Sequence, residues 1–208
     1  MDPHGYFGRN YYLWRRMTAE QREQVLALRK AQNRPWHSPP HTKGSGRFLL
    51  SGTCYEHKPI VGRDTERMAH FENELLDLFD NIKHLSVHAW ILLPNHYHVL
   101  VDCTDVAIPL KELGKLHGRT SRYSNKEEGT PGRKVWFCAF ERPIKSDRHY
   151  HAMLNYVHNN AVSHGYAEYW QEWPFSSANS YLEEVGRDAA MQHWLAYDIS
   201  GMGGTWDP

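Results

Sequence analysis

The sequence predicts an α+β fold: a ferredoxin-like split βαβ sandwich with a four-stranded antiparallel sheet, an added C-terminal helix and an N-terminal arm. Three observations lead there. Strand-like and helix-like segments follow one another as strand, helix, strand, strand, helix, strand. Only Pro94-Asn95 separates the second strand from the third, as suits an antiparallel hairpin. A last segment with apolar residues at helical spacing follows the fourth strand.

Each element has its own signal. Residues 47–55 (RFLLSGTCY) read as the first strand. Residues 65–82 carry Met68, Phe71, Leu75, Leu76, Leu78 and Phe79 at helical spacing. Strands are expected over 86–93 and 96–102, a helix over 108–125, a strand over 134–140 and a helix over 147–162. In this topology the first and third strands hold the centre of the sheet. Upstream, Thr18 and Gln21 form a capping-box pair for a short helix with Val25, Leu26 and Leu28 on its apolar face. The proline-rich stretch at 34–40 is neither helix nor strand. The expected organisation is an arm over 1–45, the main domain over 46–183 and a tail over 184–208, loose from Met191 onward.

The chain has 208 residues, with 24 acidic and 24 basic side chains, so no global positive field marks a nucleic-acid partner and a basic surface must be local. Cys54, Cys103 and Cys138 fit neither a disulfide framework nor a zinc spacing, and are read as small buried hydrophobes in a reducing compartment. With neither a long apolar span nor a signal-peptide core, a soluble cytoplasmic protein without a membrane partner is expected.

The chemistry centres on His96-Tyr97-His98. Alternate residues of a strand share a face, so the imidazoles project together while Tyr97 points away. That spacing fits a chelating pair or two solvated histidines. On the last helix, Tyr150, Met153, Leu154, Val157 and Ala161 form an apolar stripe, with Tyr156 on its flank and Asn160 one turn further along the same flank. Spacing alone leaves Tyr156 open between a boundary aromatic and a working phenol.

The segment Trp90-Ile91-Leu92-Leu93-Pro94-Asn95-His96-Tyr97-His98-Val99-Leu100-Val101 resembles the HUH segment of single-tyrosine transposases, and Asn155-Tyr156-Val157-His158-Asn159-Asn160-Ala161-Val162 resembles their tyrosine helix. The nearer resemblance is to REP-associated tyrosine transposases, relatives of the IS200/IS605 enzymes. His117-Gly118-Arg119-Thr120-Ser121, Val135-Trp136-Phe137 and Trp173-Pro174-Phe175-Ser176-Ser177 extend it over residues 47–183, in the family's order. The resemblance implies that His96, His98 and Asn160 bind a divalent metal, Mg²⁺ or Mn²⁺, and that Tyr156 is the nucleophile. It further implies single-strand DNA cleavage and strand transfer through a 5′-phosphotyrosine. The partner would be single-stranded or hairpin DNA resembling REP palindromes, and the protein a monomer or homodimer. Ala161 departs from the family's proline after the asparagine without touching a ligand.

Such chemistry suits these side chains. A free phenol, with a pKa near 10, is a weak nucleophile at neutral pH, and a cation on neutral ligands keeps its full charge for polarising a phosphate. Zinc remains open on donor types alone. For the DNA, Lys111, Lys115, Arg119 and Arg122 form a basic face on the second main-domain helix, and Lys134 and Arg148 add charge around the fourth strand. The arm's Tyr11, Tyr12, Trp14, Arg15, Arg16 and Trp36 combine rings and charge, as packing or base-stacking surfaces do. Three rivals stand beside this reading: an RRM-like binding module, a domesticated binder or processor of palindromic repeats, and a metal-dependent hydrolase of small substrates. The first lacks stacking aromatics on the third strand, and the last lacks a recognisable further ligand.

Overall fold

The computed structural model describes residues 17–31, 44–200 and 202. The chain divides into one unit at 42–200 and another made of 1–41 and 201–208, each taken by itself. In the smaller, helix α1 spans Ala19–Ala31. Its capping box forms as expected: Thr18 N donates to Gln21 Oε1 at 2.9 Å and Gln21 N to Thr18 Oγ1 at 3.3 Å. The arm aromatics at 11–16, the proline-rich stretch with Trp36, and Gly201, Gly203 and Gly204 lie outside the described residues.

In the larger unit the elements are β1 (Gly46–Cys54), α2 (Thr65–Asp80), β2 (Leu85–Leu92), β3 (His96–Cys103), α3 (Ala107–Glu127), β4 (Trp136–Pro143) and α4 (Asp147–Ser163), then α5 (Ala178–Val185) and α6 (Arg187–Ala196). The strands form one antiparallel sheet in the order β2-β3-β1-β4. This is the split βαβ sandwich the sequence predicts, with β1 and β3 at the centre. No helix among the described residues is long and apolar enough to cross a membrane.

The two central strands, covered on both faces, are buried almost throughout. One face carries Phe48, Leu50, Tyr97, Val99 and Val101, packed with Phe71, Leu75 and Phe79 of α2 and Leu113 and Leu116 of α3. Alternation sends His96, His98, Leu100, Leu49 and Ser51 to the other face, against α4. Tyr97, pointing away from the histidines, is satisfied inside the core by His117 Nε2 at 2.9 Å. His117 in turn stacks on Trp136 at 4.3 Å, and Trp136 Nε1 donates to Thr120 Oγ1 at 3.1 Å. Gly52 lies opposite Tyr97, where an added Cβ would sit 2.4 Å from the phenol ring.

Three local expectations are corrected. Cys54 and Cys103 are buried, but Cys138 is exposed, because β4 is an edge strand with only one neighbour. The segment from Met191 is not loose: α6 carries it to Ala196. Helix α4 is buried on more than its apolar stripe, since Asn155 and His158 are as enclosed as Leu154. Polar side chains make that second face: Asn155 Nδ2 donates to Tyr197 O at 2.9 Å, Asn155 Oδ1 accepts from His193 Nδ1 at 2.9 Å, and His158 Nε2 contacts Ser177 Oγ at 3.0 Å.

Candidate metal and nucleophile site

The β2–β3 hairpin and α4 meet at the site. Helix α4 starts cleanly because Ser146 caps it, its Oγ accepting from His149 N at 3.1 Å. Its next three turns carry Tyr156 and then Asn160 over the sheet, where His96 and His98 project with ring centroids 5.1 Å apart. His96 Nε2 lies 3.0 Å from Asn160 Oδ1, and the Tyr156 hydroxyl 3.3 Å from His98 Nε2. All four side chains are buried. The four residues singled out on two distant segments thus come together at one point.

The far side of each imidazole is anchored. Asn95 Oδ1 accepts from His96 Nδ1 at 2.8 Å, while Asn95 Nδ2 donates to His57 O at 3.2 Å, which fixes the amide's orientation. Cys54 N donates to Asn95 O at 2.7 Å and Gly62 N to Pro94 O at 2.8 Å, so the hairpin turn is tied down on both sides. The His57 carbonyl comes from a turn in which Glu56 and His57 both hold left-handed φ, 56° and 54°, a conformation costing about 1–2 kcal/mol per residue. Ser51 Oγ, on the neighbouring strand, lies 2.6 Å from His98 Nδ1. Sequence reading passed over Asn95 and Ser51, although Asn95 adjoins His96 and Ser51 pairs with His98 in the register. It also passed over His164, the C-cap of α4, whose ring lies 4.9 Å from that of His96.

With Nδ1–H donated to Asn95 Oδ1, a neutral His96 would present its Nε2 lone pair to Asn160 Oδ1, another acceptor. Two acceptors at 3.0 Å repel unless something positive lies between or beside them. The donor set of two imidazoles and one amide therefore fits a divalent cation. Outer-shell bonds like those of Asn95 and Ser51 are what hold ligating histidines in orientation. Among the described residues, no three of His, Cys, Asp or Glu cluster as a metal site, so a cation held here would need the amide as its third ligand.

The basic residues fall elsewhere. Lys111, Lys115, Arg119 and Arg122 are exposed on α3, whose buried side lines the opposite face of the sheet from His96 and His98. Lys115 pairs with Glu112 at 2.7 Å and Arg119 with Glu74 at 2.8 Å. Lys134 sits over the Tyr55 ring at 4.9 Å, and Arg148 is exposed in the first turn of α4.

No family model matches the chain. It is 25% identical over 97 residues to the REP-associated tyrosine transposase of Escherichia coli (strain K12), a match covering 44% of this chain and 53% of that protein. It is 28% identical over 102 residues to a Haemophilus influenzae protein whose name invokes the same family, covering 41% and 54%. The chain thus spans about half the length of the curated relatives it matches. A solved structure of a REP-associated tyrosine transposase bound to a REP hairpin shares the fold, with a TM-score of 0.57 at 17% identity, covering 82% of this chain and 96% of that one.

Proposed function

From its likeness to REP-associated tyrosine transposases, we propose that this chain cleaves and rejoins single-stranded DNA at a hairpin, with Tyr156 as the attacking group. The observation that carries this reading is the placement of the Tyr156 hydroxyl 3.3 Å from His98 Nε2, beside the His96–Asn160 pair. A phenol used only for packing needs neither an imidazole at its oxygen nor a pair of facing acceptors next to it.

His96, His98 and Asn160 would hold the metal, Mg²⁺ or Mn²⁺. When bound, it supplies Lewis-acid polarisation of the scissile phosphate. The rest falls to the chain's own groups. His98 can keep its Nε2 lone pair on the site by donating Nδ1–H to Ser51 Oγ, and Asn95 does the same for His96. The Tyr156 oxygen forms a bond to phosphorus, losing its proton, as the bond to the 3′ oxygen breaks and that oxygen takes up a proton. The DNA 5′ end is left on Tyr156, and a second 3′-hydroxyl can reverse the step on another strand. Burial of the phenol and both imidazoles keeps competing water from the reacting centre. In this reading Lys134 and Arg148 contact phosphates, and the exposed cations of α3 serve DNA that wraps away from the centre.

The test uses labelled hairpin oligonucleotides with single-stranded flanks, drawn from palindromic repeats around the gene and incubated with Mg²⁺ or Mn²⁺. A protein–DNA adduct that survives denaturation and needs the metal supports the proposal. Tight, salt-sensitive binding with no adduct under any metal points instead to a non-cleaving binder of repeats.

A further inference from the structure

We propose that Tyr166, backed by Trp173, is a stacking platform for an unpaired nucleobase next to the cleaved phosphate. This deepens the reading above and rests on it.

The platform belongs to the same end of the sheet as the site. Tyr166 N donates to Ala161 O at 2.8 Å, which fixes the residue just past the last turn of α4, the turn after Asn160. The intervening His164 is the one whose ring lies 4.9 Å from that of His96. Trp173 is anchored by its Nε1, which donates to Leu92 O at 2.8 Å. Leu92 pairs with Tyr97, the residue between the two site histidines. The rings of Tyr166 and Trp173 lie 5.5 Å apart, tilted by 39°. One ring is pinned to the hairpin and the other to the tyrosine helix.

Tyr166 is nevertheless 43% exposed. Rings placed rigidly at low entropic cost and left open to solvent are suited to stacking. Charge decides what stacks. Residues 165–173 contain Glu168 and Glu172 but no Lys or Arg, and Glu172 is already committed, its Oε2 accepting from Tyr169 N at 3.1 Å. Such a segment repels a phosphate backbone. An occupant must therefore present an uncharged aromatic face, as an unpaired base in the single-stranded flank of a hairpin does.

The experiment compares a blunt DNA hairpin with the same hairpin carrying short single-stranded flanks, with 2-aminopurine placed at each flank position in turn. Affinity and fluorescence quenching are measured for the full-length chain and for Tyr166→Ala and Tyr166→Phe. The expected result is quenching at one flank position. Tyr166→Ala should bind the flanked hairpin about ten-fold more weakly, an effect of the size that loss of one base–aromatic stack produces. Tyr166→Phe should retain both binding and quenching, and the blunt hairpin should not distinguish the three proteins. The platform is overturned if Tyr166→Ala keeps full affinity and quenching, or loses affinity equally for both hairpins. A wild-type chain that binds neither hairpin overturns the function on which the platform rests, a separate and recognisable failure.

Discussion

His96 Nε2 and Asn160 Oδ1 face each other at 3.0 Å, both fully buried, with the other ring nitrogen of His96 already donating to Asn95. Neither atom has a proton to offer the other while the imidazole is neutral. A divalent cation held there by the folded chain alone would stabilise it, by about 2.7 kcal/mol at a hundred times its dissociation constant. Thermal denaturation should therefore shift upward with Mn²⁺ or Mg²⁺. His96→Ala and Asn160→Ala should abolish the shift. An undiminished shift in both variants would place the cation elsewhere.

Ser51 Oγ, on β1, meets His98 Nδ1 from behind at 2.6 Å. Ser51→Ala leaves the imidazole present but removes this bond to its Nδ1. Loss of such a support typically costs about 10–100-fold in metal affinity. Isothermal titration with Mn²⁺ should show that loss with little change in folding stability. Unchanged affinity would mean that packing alone orients the ring.

Much of this site could be read in the sequence because it rests on strict periods. The two-residue alternation of β3 puts His96 and His98 together whatever surrounds them, and the four-residue spacing on α4 puts Asn160 above Tyr156. The fold was legible for the same reason, in the apolar stripe of α2 and the hairpin break at Pro94-Asn95. What escaped depends on contacts across the chain. Asn155 and His158 look like the solvent side of a helix until α5 and α6 cover them. Helix α6 has only one buried residue, Ala190, and follows Gly186 at φ 82°, so no clear period announces it. Cys138 sits in an apolar run, yet its exposure follows from β4 lying at the sheet's edge.

Gly52 tests the core behind the histidines. Its extended backbone would accept alanine, but the new Cβ would stand 2.4 Å from the Tyr97 ring. Tyr97 cannot retreat without breaking its bond to His117. Overpacking of this kind costs about 1–3 kcal/mol, and Gly52→Ala should lower the denaturant midpoint accordingly. A midpoint equal to wild type would show that the ring has room to move.

Acid sensitivity should arise partly from His117, whose pKa burial lowers to about 3. The unfolded chain takes up this proton below its ordinary value of 6.5, while the folded chain does not. Stability contributed by neutral His117 is thus complete above that value and falls as pH drops toward 3, by at most about 1.4 kcal/mol per pH unit. His117→Gln keeps a polar partner for Tyr97 and removes the titration. Urea denaturation at pH 7 and pH 5 should give a smaller difference for the variant. Equal differences would assign the acid sensitivity to other groups.

The central claim is that the Tyr156 oxygen carries the DNA. After cleavage of a hairpin oligonucleotide in Mn²⁺, proteolysis and mass spectrometry of the DNA-linked peptide would locate the covalent bond. A 5′-phosphonucleotide on Tyr156, absent from the Tyr156→Phe protein, is the expected result. A link on another residue, or cut DNA with a free 5′-phosphate and no link, would contradict it.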